Sequence, residues 1–148
     1  MKTPRNLGLV AVLLFVISHF LPAYNGGSGF ACFGICWNIL LGRDSAILSA
    51  DWFYYSGFAT SNILFIGLVV TLFVTKKSRR LRSVISVVFF SHVLSWLVLH
   101  AFQQPSHITE IKIGYYVWLI AYGLLVAAHL SKEPGESLEP VSLARSVG

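Results

Sequence analysis

The sequence predicts an all-α integral membrane protein: a bundle of four spanning helices with a short interfacial or re-entrant segment in its first outer loop. Of the 148 residues, 55% are hydrophobic and only 11% are charged, whereas soluble domains carry about 25% charged residues. Four long apolar stretches contain no Asp, Glu, Lys or Arg. A soluble globular enzyme of this length could not bury so much apolar surface.

The four predicted spans cover about 7–22, 58–75, 83–102 and 113–130. A helix needs about 20 apolar residues to cross the hydrocarbon, within a range of about 17 to 25, so the first stretch is at the short limit. Backbone groups in lipid must be paired within the segment, which favours helices. The exit of the first span lacks the small residues of a cleavage site, so we expect an uncleaved anchor.

Basic residues set the expected orientation. Nine of the eleven fall on one side of the predicted spans: Lys2, Arg5, Lys76, Lys77, Arg79, Arg80, Arg82, Lys132 and Arg145. Only Arg43 and Lys112 fall on the other side. Both termini are therefore expected in the cytoplasm, with a transmembrane domain at 1–131 and a disordered tail at 132–148. The net charge of +5 follows from this topology and does not indicate nucleic-acid binding.

The expected membrane is a bacterial inner membrane, because no Asn in the chain begins a glycosylation sequon. This absence is compatible with a bacterial origin and does not by itself establish one. Membrane lipids are the first expected partners.

The connection between the first two spans is unusually apolar. Residues 30–41 are too few to span and too apolar for water, which is typical of an interfacial helix or a re-entrant segment. An aromatic cluster at 51–55 follows. Six side chains from these segments form a predicted surface for another membrane protein: Phe30, Phe33, Trp37, Trp52, Phe53 and Tyr54. The alternative is that they only anchor the chain at the headgroup level.

Histidines within the spans are candidates for function because ionisable groups are costly in lipid. His92 is expected near mid-membrane, where Asn62, Ser91 and Ser95 would complete a polar cluster inside the bundle. A polar network that only fixes helix packing is the alternative.

His19 and His100 are expected at a common depth near the outer side. A haem b held by both, or a quinone beside them, is therefore an alternative hypothesis. No flanking pattern supports it, and no cofactor is predicted.

The two cysteines, Cys32 and Cys36, face the expected outer side. Four apart on a helix, they share a face but are poorly aimed for a disulfide, whereas an irregular segment would allow one. The spacing matches neither thioredoxin-like nor haem-attachment motifs. The sequence contains no metal-ligating, nucleophile or phosphate-loop motif, which disfavours an enzyme.

These observations favour a non-catalytic accessory or immunity-type subunit that binds another membrane protein. Small residues four apart, such as Gly57 and Ser61, also allow a homo-oligomer. One alternative is a haem- or quinone-associated redox subunit. A further alternative is a protein that binds or transports a lipid or small molecule in a cavity around His92 and Asn62.

Overall fold

The computed structural model describes residues 4–43, 49–74, 79–103 and 105–131, which are mostly helical. The α-helices are α1 (Pro4–Phe20), α2 (Gly29–Leu40), α3 (Ala50–Val74), α4 (Arg79–Gln103) and α5 (Ile113–Leu130). A hairpin of β1 (Pro22–Tyr24) and β2 (Gly27–Ser28) joins α1 to α2, and a 3₁₀ helix (Pro105–Glu110) joins α4 to α5. The predicted tail at 132–148 and the basic residues Lys76 and Lys77 lie outside the described residues.

Among the residues that the structure describes, three helices are long and apolar enough to cross a membrane. The qualifying segments are Trp52–Val74, Arg80–Leu99 and Ile113–Leu130, of 23, 20 and 18 residues. The last coincides with the predicted span at 113–130. Helix α1 is also apolar but has only 17 residues, so the predicted count of four spans is confirmed only for three.

Helix α3 begins eight residues before the predicted start of the second span at 58. The backbone N–H of Trp52 donates to Ser49 Oγ (3.1 Å), and the N–H of Phe53 donates to the Ser49 carbonyl (3.0 Å). Ser49 thus supplies the N-terminal cap, for which serine is a preferred residue. The aromatic cluster expected before the helix therefore forms its first turns.

The apolar segment predicted at 30–41 forms α2. Ser28 Oγ accepts a hydrogen bond from the N–H of Ala31 (3.3 Å) and caps its first turn. Gly42, at a φ of 69°, ends the helix in the left-handed conformation that glycine adopts readily. The twelve residues of α2 are about 18 Å long at 1.5 Å per residue, too short to span a membrane.

Helix α5 occupies the middle of the bundle, with α1 and α4 packed against it and α2 packed against α3. Consecutive long helices are antiparallel. Tyr54 near the start of α3 lies within 3.2 Å of Ser95 near the end of α4. Ser83 near the start of α4 donates to the carbonyl of His129 at the end of α5 (3.1 Å).

The core lies where α1, α3, α4 and α5 meet. Phe15 stacks on Phe65 with ring centroids 4.1 Å apart, and Tyr122 lies 5.0 Å from Phe65. Large apolar side chains also face outward on every helix; Leu13 of α1 and Val88 of α4 are 59% and 57% exposed. Contiguous exposed apolar surface of this kind is typical of a lipid-facing exterior.

Backbone hydrogen bonds fasten the hairpin end of the bundle, which we define as β1, β2, α2 and residues 110–112. The N–H of Lys112 donates to the carbonyl of Ala23, and the N–H of Asn25 donates to the carbonyl of Glu110, both at 2.9 Å. Asn25 and Gly26 both have positive φ, 45° and 80°, as a two-residue hairpin turn of type I′ requires. The turn following α1 is therefore tied to the start of α5.

Candidate functional site

A cavity of about 350 Å³ lies at the hairpin end, enclosed by residues from α1, β1, α2, α3, α4 and α5. We call it the hairpin-end cavity. It is not fully enclosed, because Ile35, one of its lining residues, is 58% exposed. Its volume is at the lower end of the range for ligand sites, about 300–1,000 Å³.

Helix α2 forms one wall of the cavity. Cys32, Cys36 and Ile39 line it, and their spacing of four and three residues places them on one helical face. Burial raises the pKa of Cys32, and it raises the pKa of Cys36 from 9.0 to about 11. Both thiols are therefore uncharged near neutral pH.

Neither cysteine is bonded to the other. The disulfide alternative required an irregular segment, whereas residues 29–40 form a regular helix. Residues four apart on a helix have Cβ atoms about 5–6 Å apart, and a disulfide needs about 3.5–4.5 Å. The helical backbone therefore holds Cys32 and Cys36 as two separate thiols.

Aromatic rings form most of the remaining wall. Trp96 of α4 and Tyr115 of α5 have ring centroids 5.1 Å apart, and Trp118 lies 5.8 Å from Tyr115. Phe58 of α3 lies 6.1 Å from Trp118, and Tyr24 of β1 lies 4.9 Å from Trp96. Tilted and edge-to-face contacts at these distances are favourable ring geometries, so the wall is a connected aromatic array.

A hydrogen bond between α3 and α5 fixes this array. Trp118 Nε1 donates to Asn62 Oδ1 (2.9 Å), and Asn62 Nδ2 donates to the carbonyl of Phe58 (2.9 Å). The hydroxyl of Tyr115 donates to the carbonyl of Val93 on α4 (2.6 Å). The indole N–H, the amide group and the phenol hydroxyl of these lining side chains thus have hydrogen-bond partners within the protein.

The polar residues of α1 at the cavity are also paired. Ser18 Oγ donates to the carbonyl of Phe15 (2.6 Å), and His19 Nδ1 lies 2.8 Å from the same carbonyl. Because a carbonyl only accepts, Nδ1 must carry a hydrogen. The imidazole of His19 packs against Phe30, with ring centroids 5.3 Å apart.

Within the described part of the chain, none of the residues that line the cavity is Asp, Glu, Lys or Arg. Tyr24 keeps its proton because its hydroxyl donates to the Glu110 carboxylate, which raises the pKa of Tyr24 from 10.0 to about 12. The described residues also contain no group of three or more His, Cys, Asp and Glu that could hold a metal ion.

The four residues of the predicted polar cluster do not share one site. Asn62 faces Trp118, whereas the ring of His92 lies 4.8 Å from Phe58. Ser95 Oγ donates to the carbonyl of His92 (2.6 Å). Ser91 is exposed on the surface of α4.

His92 and Ser95 instead belong to a contact between α3 and α4. Because the hydroxyl hydrogen of Ser95 is used by the His92 carbonyl, Tyr54 is the donor in its 3.2 Å contact with Ser95. The His92 ring also lies directly against the α-carbon of Gly57, where a side chain would collide with it. This cluster lies beside the hairpin-end cavity, and Phe58 separates the two.

The six residues predicted as a partner surface divide into two groups. Phe30, Trp37 and Phe53 are exposed, by 54%, 37% and 61%. The others face the protein: Phe33 lines the cavity, Trp52 Nε1 donates to the carbonyl of Leu40 (3.2 Å), and Tyr54 contacts Ser95. They therefore do not form one continuous surface.

The haem hypothesis requires His19 and His100 to hold the same haem b. The side chain of His100 lies outside the described residues, so its distance from His19 is not defined. Their helices, α1 and α4, each pack mainly against α5.

The sequence analysis did not include Trp118 and Tyr115 among the candidate site residues. The sequence signal that could have found them is the spacing of Tyr115, Trp118 and Tyr122. Residues three and seven apart lie on one face of a helix, and this face of α5 points into the bundle.

Comparison of the chain with protein-family models, with characterised proteins and with solved structures finds no match.

Proposed function

We propose that this protein binds a small apolar molecule from the membrane in the hairpin-end cavity. The observation that carries the proposal is the cavity itself: about 350 Å³, lined by aromatic and aliphatic side chains, with six elements converging on it. Ligand sites are typically concave and mainly apolar, with a few placed polar groups. This proposal adopts the small-molecule alternative and moves the site from His92 to the region around Asn62 and Trp118.

The proposal includes four spanning helices with both termini in the cytoplasm. Helix α1 lies beside α3 along its length: Gly8 contacts Leu72, Phe15 stacks on Phe65, and Ser18 reaches the hairpin end. At 1.5 Å per residue, 17 residues extend about 25 Å, close to the hydrocarbon thickness of about 30 Å. The distribution of basic residues supports an outward-facing hairpin end, and a bacterial inner membrane is part of the same proposal.

A cavity-filling substitution tests the binding proposal. Cys36 lines the cavity and is only partly buried, so Cys36→Phe fills the space without replacing a core residue. Ala31→Phe, on an exposed position of the same helix, is the matched control. Native mass spectrometry should find an apolar molecule retained by the wild type and by Ala31→Phe and lost from Cys36→Phe. Equal retention by both variants would contradict the proposal.

A second candidate is the accessory or immunity-type subunit expected from the sequence. The exposure of Phe30, Trp37 and Phe53 favours it, because aromatic side chains are enriched at protein interfaces. Affinity purification in mild detergent should then recover a membrane partner or a second copy of the chain. Phe30→Ala with Phe53→Ala should abolish recovery, while Val88→Ala, on the exposed face of α4, should not.

A further inference from the structure

We infer that the hairpin-end cavity selects a planar, unsaturated, uncharged ring, such as the head group of a membrane quinone, over an acyl chain. This inference rests on the proposed function and names its class of ligand. It follows from what the described residues of the cavity wall offer: aromatic rings, no Asp, Glu, Lys or Arg, and polar side chains that already have partners within the protein.

The first step of the argument concerns charge. A charged group in an apolar site is strongly unfavourable unless an opposite charge pairs with it. Among the described residues lining the cavity there is no charged side chain, and the thiols of Cys32 and Cys36 are neutral. The ligand portion that enters the cavity must therefore be uncharged.

The second step concerns hydrogen bonds. Trp118 Nε1, Asn62 Nδ2 and the Tyr115 hydroxyl already donate to partners within the protein. A sugar or another ligand rich in hydroxyl groups would lose its bonds to water and find few replacements, at a cost for each unpaired group. The cavity thus suits a ligand with few polar atoms.

The third step distinguishes a ring from a chain. Rings of Phe33, Phe58, Trp96, Tyr115 and Trp118 line the same space. A planar ring placed among them gains offset or edge-to-face contacts that are favourable beyond the burial of area, and a saturated chain gains none. The volume of about 350 Å³ accommodates a ring system but is small for a two-tailed lipid.

The test compares three uncharged hydrocarbons of equal carbon number: anthracene, perhydroanthracene and tetradecane. Anthracene binding is measured by energy transfer from Trp96 and Trp118, which line the cavity, in a Trp37→Phe, Trp52→Phe background that removes the other two tryptophans. The two saturated compounds are measured by their competition with anthracene. We expect anthracene to bind about tenfold more tightly than perhydroanthracene, as about 1.4 kcal/mol of ring contacts implies.

Two variants on α2 test whether the preference for anthracene over perhydroanthracene comes from the cavity wall. Phe33→Leu removes one ring from the wall and should reduce the preference for anthracene about threefold. Phe30→Leu changes a ring on the same helix that does not line the cavity, and it should leave the preference unchanged.

The outcomes separate the two proposals. Equal affinity for anthracene and perhydroanthracene would overturn the ring inference while leaving apolar binding intact. Tighter binding of tetradecane would replace the ring by an acyl chain. Failure of all three compounds to bind saturably would overturn the ring inference together with the proposed function.

Discussion

A single methyl group at Gly57 should disrupt the contact between α3 and α4. A Cβ atom at this position would collide with Nε2 of His92 and would lie 2.7 Å from its Cε1. The imidazole has little room to retreat, because Tyr54 and Phe58 hold it with ring centroids 5.4 and 4.8 Å away. Gly57→Ala therefore tests whether this packing is tight.

The geometry sets the size of the effect. Ordinary van der Waals contact begins near 3.4 Å, so Cε1 would have to move by at least 0.7 Å. Overpacking of this kind costs about 1–3 kcal/mol. The higher helix propensity of alanine offsets up to about 1 kcal/mol of this overpacking cost. With about 1 kcal/mol offset in this way, we expect a net loss of up to about 2 kcal/mol in the free energy of unfolding.

Denaturation with an anionic detergent in mixed micelles, followed by circular dichroism, measures this loss. Gly67→Ala is the matched control on the same helix, because a Cβ atom there meets nothing within 4 Å, and it should be neutral or stabilising. His92→Ala should make room for the new methyl group, so Gly57→Ala should cost at least 1 kcal/mol less in that background. Equal stability of the two glycine variants, or strict additivity with His92→Ala, would refute the reasoning.

Three further predictions concern the walls of the cavity. A double-mutant cycle of Trp118→Phe with Asn62→Leu should give a coupling energy of about 0.6 kcal/mol, the mean for polar contacts between membrane helices, and at most about 1.7 kcal/mol. A coupling energy near zero would show that this hydrogen bond does not stabilise the contact between α3 and α5. Because the pKa of Cys36 is raised from 9.0 to about 11, its thiolate fraction at pH 8 is about 100-fold lower than that of an unperturbed thiol. In a Cys32→Ala background, iodoacetamide should therefore alkylate Cys36 about 100-fold more slowly than an unperturbed thiol. An alkylation rate equal to that of a free thiol would contradict the burial of Cys36. The raised pKa of Tyr24 favours the neutral phenol in the folded state, so its contribution to stability should be complete below pH 10 and should be lost as the pH rises toward 12. Tyr24→Phe should reduce this alkaline loss in thermal unfolding, whereas an unchanged pH profile would show that the phenol does not cause it.

The helices could be predicted where composition changes sharply at their ends. Helix α5 matches the prediction at 113–130 because Lys112 precedes the apolar stretch and a polar segment follows it. The start of α3 was predicted too late because Trp and Tyr are common both at a membrane interface and in the first turns of a helix. Ser49 distinguishes the two, since a serine three residues before Trp52 is a capping signal.

The cavity could not be predicted in the same way, because it depends on which faces of the helices meet. The sequence analysis grouped Asn62 with His92 only because both were expected at a similar depth in the membrane. On α3, Asn62 is five residues after Gly57, which contacts His92. At about 100° per residue, these two positions are about 140° apart around the helix. Asn62 therefore faces α5 and bonds with Trp118, although its depth suits His92 equally well.

The position of the cavity follows from the weak burial of α2. None of the twelve residues of α2, all of them described, is buried, whereas α5 contributes Tyr122 and Leu125 to the core at 1% exposure each. Both ends of α2 are tied to other elements: the N–H of Gly29 donates to the carbonyl of Leu21 after α1, and Trp52 Nε1 of α3 donates to the carbonyl of Leu40. These bonds oppose an inward movement of the helix into the space beneath it. A helix that is held at both ends and has no buried residue leaves an apolar gap beneath it. A bound ring would supply the contacts that α2 lacks there.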